Sequence, residues 1–352
     1  MSGGVDSSVA AALMLEAGHE VIGVTLKQWE GPTGEAPTAG CCTVGDAEDA
    51  RRVAAQLGVP YYVLDYVDEF RAAVVEPFGQ AYLRGETPNP CIECNRHVRF
   101  RALLGRMTEL GCDVLVTGHH ARVVETQGRY RLLTGVDEGK DQSYVLYMLG
   151  QRELSRVQLP VGDMTKQEVR ERAATLGLRT AAKPDSQDLC FVGRGGYRSF
   201  LREHYPGATR PGPVVDTSGA VVGAHAGTVD FTIGQRKGIG VAAAEPRYVV
   251  GVDPGVATVR IGRREELEVA GCEVADTTFV AGPAPGEGDV TVKVRYRAHP
   301  VRARVQPAGG GAWLVEFAQP QLGVAAGQAA VFYRGDEVLG GGTISSTFRL
   351  AA

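Results

Sequence analysis

Ser2-Gly3-Gly4-Val5-Asp6-Ser7-Ser8 opens the chain and runs directly into Val9-Ala10-Ala11-Ala12-Leu13-Met14-Leu15. Two consecutive glycines permit a tight turn and a close approach of backbone to ligand. The Ala/Leu/Met-rich run that follows is a strong helix former. A glycine turn feeding a helix gathers unpaired N–H groups and the positive end of the helix dipole at one point, which suits an anion such as phosphate. Ser7 and Ser8 add hydroxyl donors. The lysine that closes the phosphate loop of kinases and GTPases is absent. A loop of this kind normally follows a buried parallel strand, yet only Met1 stands ahead of it. The expectation is that a first strand belongs upstream of a start placed too late.

The elements after the loop alternate. The run 20–26 reads as a buried strand, 46–57 as a helix capped by Asp46 and stopped by Gly58, and 61–64 as the next strand. A helix over 69–83 follows, then Thr87-Pro88-Asn89-Pro90, which the prolines keep out of a helix, then a helix over 95–110 and a strand over 113–117. This alternation implies a parallel sheet with ligands at the strand C-termini. The segment 121–133 reads as a hairpin around Gln127-Gly128. Thr165-Lys166-Gln167-Glu168 is a capping box opening a helix that Gly177 ends. Beyond Phe191 short Val-rich alternation dominates, apart from a helix near 195–204. The expected division is 1–191, an α/β domain with a parallel sheet; 192–265, a small α+β middle domain; and 266–352, a β-barrel. A chain of 352 residues is long enough for several cores. Its net charge of −4 provides no global field for nucleic acid, so any such binding needs a local patch. The absence of a long apolar run or signal peptide makes the cytoplasm the expected compartment, with no membrane partner.

Seven cysteines in such a chain point to chemistry or metal rather than a disulfide framework. Cys112 and Cys272 sit among apolar residues and read as small core hydrophobes. Cys41-Cys42 receive no role. Cys91 and Cys94 form a CxxC followed by Asn95, Arg96, His97 and Arg99; a thiolate at a helix N-terminus beside cations is stabilised, which marks Cys94 as nucleophilic. Half of a zinc site is the alternative, but no second CxxC or close His pair completes four ligands. Cys190 stands in Asp185-Ser186-Gln187-Asp188-Leu189-Cys190-Phe191. Lys293-Val294-Arg295-Tyr296-Arg297 alternates with period two, so a strand there would carry a basic stripe, extended by Arg302 and Arg304, able to meet phosphates.

Several motifs occur in a fixed order: the opening loop, Thr87-Pro88-Asn89-Pro90 with Cys94-Asn95, Thr117-Gly118-His119, Lys140-Asp141-Gln142-Ser143-Tyr144, Asp185-Ser186 with Cys190-Phe191, Gly234-Gln235-Arg236-Lys237-Gly238, and Gly340-Gly341-Gly342 before Ile344. Together they resemble the tRNA-specific 2-thiouridylase (MnmA/TrmU) family of the ATP-pyrophosphatase (PP-loop) superfamily. The resemblance spans nearly the whole chain. It implies a PP-loop domain, a middle domain and a tRNA-binding barrel, and ATP-dependent sulfur transfer to the 2-position of the wobble uridine of tRNA. ATP and Mg²⁺ are the implied cofactors, and the implied sulfur donor is a cysteine desulfurase or sulfur-relay protein. Ser2, Gly3, Gly4, Val5, Asp6, Ser7 and Ser8 would cradle the ATP phosphates, with Leu26 and Gly118 lining the nucleotide. Cys94 matches the nucleophile and Cys190 the cysteine that carries sulfur as a persulfide. Asn89, Pro90 and Cys91 would face the target base, and His119, Lys140, Asp141, Gln142, Arg295, Tyr296 and Gln328 would contact tRNA. Many members have Asp where this chain has Cys91; Cys91 could instead join Cys94 and Cys190 as iron–sulfur ligands. Two other readings share the loop: a different PP-loop ligase, which would leave both cysteines idle, and a nucleotide- and tRNA-binding remnant inactive for want of the first strand.

Overall fold

In the computed structural model, which describes residues 1–31, 43–185, 189–193, 195–284 and 290–349, the glycine turn passes straight into a helix, α1 (Val5–Glu16). It buries Val5, Ser8, Val9, Ala10, Ala11, Ala12 and Met14. A helix apolar around so much of its circumference must be enclosed, and α1 packs with Val53, Val161, Val169, Ala173 and Leu178. Strands β1 (Gly23–Lys27) and β2 (Tyr61–Asp65) pair in parallel. Between them runs α2 (Val44–Leu57), where Thr43 is the N-cap and the expected cap, Asp46, is its capping-box partner. Gly58, at φ 71°, ends the helix as expected.

Two helical runs differ from the sequence expectation. The first is continuous over Val67–Phe70, Arg71–Val75 and Glu76–Leu83, with wide π-type turns in its middle part. Those turns lie where a regular helix would bring the ring of Pro77 against the carbonyl of Ala73. The second covers Pro90–Glu93, Cys94–Ala102 and Leu103–Glu109, again with wide turns in its central part. It starts earlier than expected because Pro90 takes the first helical position, where a missing N–H costs nothing. Beyond it, β3 (Leu115–Val116) pairs in parallel with β6 (Val157–Gln158).

The hairpin of β4 (Ala121–Thr126) and β5 (Arg129–Thr134) turns at Gln127 and Gly128, both at positive φ (52° and 73°), as a two-residue turn requires. It does not stay with the parallel strands. The second, four-stranded unit contains β7 (Gly212–Val215), β8 (Val221–His225), β9 (Tyr248–Asp253) and β10 (Thr258–Gly262) in the order β8-β7-β10-β9, over a core of Val214, Phe231, Ile239, Val249, Val259 and Ile261. The last unit contains β11 (Glu268–Phe279), β12 (Val290–Lys293), β13 (Val301–Gly309), β14 (Ala312–Leu322), β15 (Ala329–Arg334) and β16 (Glu337–Phe348). They follow the order β11-β14-β13-β12-β15-β16, and β11 pairs with β16 to close a six-stranded barrel. β5 adds to β16 through Leu133↔Glu337 and Leu132↔Val338, so one sheet runs from the first unit into the barrel. Ion pairs Arg122–Asp336 and Arg131–Glu337, both 2.8 Å, flank that junction. Among the described residues no helix is long and apolar enough to cross a membrane.

Candidate active site

The opening loop is shaped by contacts that only glycine permits. Gly3 has φ +70°, and a Cβ on it would lie 2.2 Å from the Asp46 carbonyl oxygen. A Cβ on Gly118, just past β3, would lie 2.6 Å from the Ser7 nitrogen. The Ser7 hydroxyl accepts from the Ser2 N–H at 3.0 Å, and the Ser8 hydroxyl donates to the Gly4 carbonyl at 2.8 Å. Among the described residues no side chain caps the N-terminus of α1, whose N-cap is Gly4. A phosphate fits an uncapped helix start behind a glycine turn.

Around the loop the structure assembles a charge network from distant segments. Both carboxylate oxygens of Asp6 lie 2.7 Å from Lys166 Nζ, and Oδ1 lies 3.2 Å from His120 Nε2. Lys166 also reaches Asp185 at 3.0 Å, and Asp185 is held by Lys140 and Arg170, each at 2.8 Å. Burial pushes both carboxyls up, but the donors outweigh it: Asp6 lies below the usual carboxylate range and Asp185 falls to about 2. Lys183 binds Asp46 and Asp49, each at 2.7 Å, behind Gly3. Sequence reasoning missed Lys166, Arg170 and Lys183. Lys166 was visible only as part of a capping box, and nothing local pairs it with Asp6.

The thiol pocket lies at the C-terminal end of β1. Cys94 is buried with Tyr66, Phe70, Phe78, Val98, Phe191 and Phe200, and Cys190, Leu26 and Trp29 pack against the same cluster. Phe191 meets Phe78 and Phe200 edge-on, each at 5.2 Å. Gln28, which sequence reasoning also missed, donates from Nε2 to Cys94 Sγ at 3.3 Å. Because the helix begins at Pro90 and Asn89 caps it, the N-terminal position expected for Cys94 belongs to Cys91, whose N–H bonds Asn89 Oδ1 at 3.1 Å. Cys91 is exposed while Cys94 is buried. Among the described residues no group of three or more His, Cys, Asp or Glu is placed to hold a metal ion. The oxygens of Asp6 face Lys166 and His120. Cys41, Cys42 and Ser186 lie outside the described residues.

The residues assigned to tRNA divide into internal and accessible groups. His119 is buried beside Phe100, and burial, with Arg99 nearby, holds it down at about 3, so it is a neutral ring at working pH. Asp141 accepts from the N–H groups of Gly135 and Ser143, and Gln142 Oε1 accepts from the His120 N–H at 3.0 Å. The basic stripe is corrected: β12 ends at Lys293, whose ammonium turns inward, 3.8 Å from Asp141 and 5.8 Å from the centre of the Tyr296 ring. Arg295 and Arg297 are exposed in the turn that follows, and Arg302 and Arg304 are exposed along β13. Gln328 donates to the Thr87 carbonyl at 2.7 Å and the Thr87 N–H donates to Ala326 at 2.8 Å, docking a barrel turn on the segment that leads to Asn89. Tyr296 lies close enough to Cys91 to feel its charge, although burial is the larger cause of its raised phenol pKa.

Residues 1–194 match a family described as tRNA methyl transferase HUP domain, 198–263 its PRC-barrel domain and 269–344 an aminomethyltransferase beta-barrel domain. A protein of Chloroflexus aurantiacus, tRNA-specific 2-thiouridylase MnmA, is 50% identical over 347 residues, covering 98% of this chain and 97% of its own. The chain belongs to the tRNA-specific 2-thiouridylase family. Relatives under the same name in Moorella thermoacetica and Geobacter metallireducens are 48% and 47% identical, covering 99% and 98% of this chain and 99% and 95% of theirs. The family's HUP domain supplies the loop and both cysteines; its C-terminal barrel supplies Arg295, Tyr296 and Gln328.

Proposed function

We propose that this chain transfers sulfur to the 2-position of the wobble uridine of tRNA, with ATP activating the base. A uridine carbonyl oxygen leaves poorly. Attack of that oxygen on the α-phosphorus of ATP expels pyrophosphate and leaves an adenylated oxygen that departs as AMP. The α1 N-terminus and the loop hydroxyls would hold the pyrophosphate, with Lys166 beside Asp6 as the nearby cation; ATP brings the accompanying Mg²⁺. The terminal sulfur of a persulfide on Cys190, loaded by a cysteine desulfurase or sulfur-relay protein, attacks C2 and displaces AMP. Cys94 thiolate then attacks the Cys190 sulfur, releasing the thiolated base and leaving a Cys94–Cys190 disulfide. Cys94 could attack first and free sulfide as the nucleophile, with the same disulfide as product. A cellular thiol reductant must restore both cysteines.

The observation that carries this reading is the packing of Cys94, Cys190 and the nucleotide-lining Leu26 on one cluster at the end of β1. In the same reading, 1–191 is the catalytic domain, 192–265 the middle domain and 266–352 the tRNA-binding barrel. Of the residues expected at the target base, Cys91 is exposed, Asn89 half-buried and Pro90 buried; the base would enter beside Cys91. The test is to assay AMP formation and 2-thiouridine separately, with tRNA present. Asp6→Ala should abolish both, whereas Cys94→Ala and Cys190→Ala should abolish only thiolation. Thiolation surviving Cys190→Ala, or undiminished AMP formation by Asp6→Ala, would overturn the assignment.

A further inference from the structure

Gln28 directly follows β1 and is 1% exposed. A primary amide buried this deeply is costly unless its polar atoms find partners. Leu26 and Trp29 pack on the apolar cluster around Cys94, and Lys27 turns to Glu30 and Asp65 on the outside. The strand end therefore aims Gln28 inward, and its Nε2 reaches Cys94 Sγ at 3.3 Å. An aliphatic side chain would fill the same space but bring no donor to the sulfur.

A thiol is a weak acceptor and a thiolate a strong one, so this bond strengthens when Cys94 ionises. Apolar surroundings disfavour a thiolate, so a donor at the sulfur bears on its ionisation. The helix dipole gives less than the sequence suggested, since Cys94 lies a full turn inside a helix capped at Asn89. We infer that Gln28 is a positioning residue for sulfur transfer, holding Cys94 Sγ in place and stabilising its thiolate through Nε2. This rests on the reading of Cys94 as the nucleophile.

The test uses the full chain with Gln28→Met, which keeps the length and removes the donor, and Gln28→Glu, which keeps the shape and places a carboxylate against the sulfur. The rate of Cys94 alkylation by iodoacetamide is followed across pH by mass spectrometry of the Cys94 peptide. Each profile is normalised to its own high-pH plateau, so that changes in access cancel. Gln28→Met should move the midpoint to higher pH, slowing Cys94 alkylation near neutrality about tenfold, the equivalent of one pKa unit. Gln28→Glu should move it further. Unchanged midpoints in folded variants would overturn the inference; should Gln28→Met fail to fold, Gln28→Glu decides alone. The readout needs neither ATP nor tRNA. Thiolation surviving Cys94→Ala would therefore remove the proposed function while leaving the Gln28 profile intact.

Discussion

The glycine-loop end of the candidate site lies against Gly118, past β3, and the thiol end follows β1, and the two are built from opposite materials. Around the loop, Asp6 and Asp185 are held by Lys166, His120, Lys140 and Arg170. Around Cys94 stand Trp29, Phe70, Phe78, Phe191 and Phe200, with ring centroids 5.2 to 6.1 Å from Phe191. Triphosphate chemistry calls for fixed charges that do not need to reorganise. Sulfur carried on a cysteine calls for a pocket that keeps water away, where a single amide has more influence than it would in solvent. Asp185 belongs to the charged end and Cys190 to the apolar end, and they lie on the same short segment.

Three measurements press on this contrast. Phe191→Ala removes the ring around which the apolar end is arranged and should cost about 3–5 kcal/mol in denaturant unfolding; a loss below 1 kcal/mol would mean the aromatic pocket is not a packed unit. Lys166→Met should act on the charged end alone. Asp6 and Asp185 each keep another partner, so the expected penalty is about 1–3 kcal/mol, seen as weaker ATP-dependent AMP formation with Cys94 alkylation unchanged. Altered alkylation would show that the two ends are coupled. The smallest effect is in acid. The folded Asp185 carboxyl is depressed from 3.8 to about 2, so its stabilisation is complete above the unfolded value and fades as pH falls between the two. Asp185→Asn should therefore lose less stability than the native chain over that interval, and matching acid curves would remove Asp185 from the network.

Local features were legible in the sequence wherever the physics is local. The Gln127-Gly128 turn, the Thr165 capping box and the glycine loop each depend on a few adjacent residues and formed where the sequence placed them. Cys94 was singled out as a nucleophile from its CxxC beside cations and from the family resemblance; its expected place at a helix N-terminus failed because Pro90 begins the helix. The basic stripe failed because β12 stops at Lys293, a boundary that alternation cannot reveal when the next residues still alternate. Lys166 and Gln28 could not be found locally, since the partner of each is fixed by the tertiary fold.

The strand pairing between β5 and β16 has a mechanical consequence. A hinge placed between nucleotide and barrel would have to break a continuous ladder, the two ion pairs beside it and the Thr87 contacts of the barrel turn. The barrel therefore behaves as the fixed jaw of a caliper, at a set distance from the glycine loop. On the proposed function, an RNA held along that jaw would itself supply the movement that brings a base to the cysteines, and RNAs would be sorted by how readily their own loop unstacks.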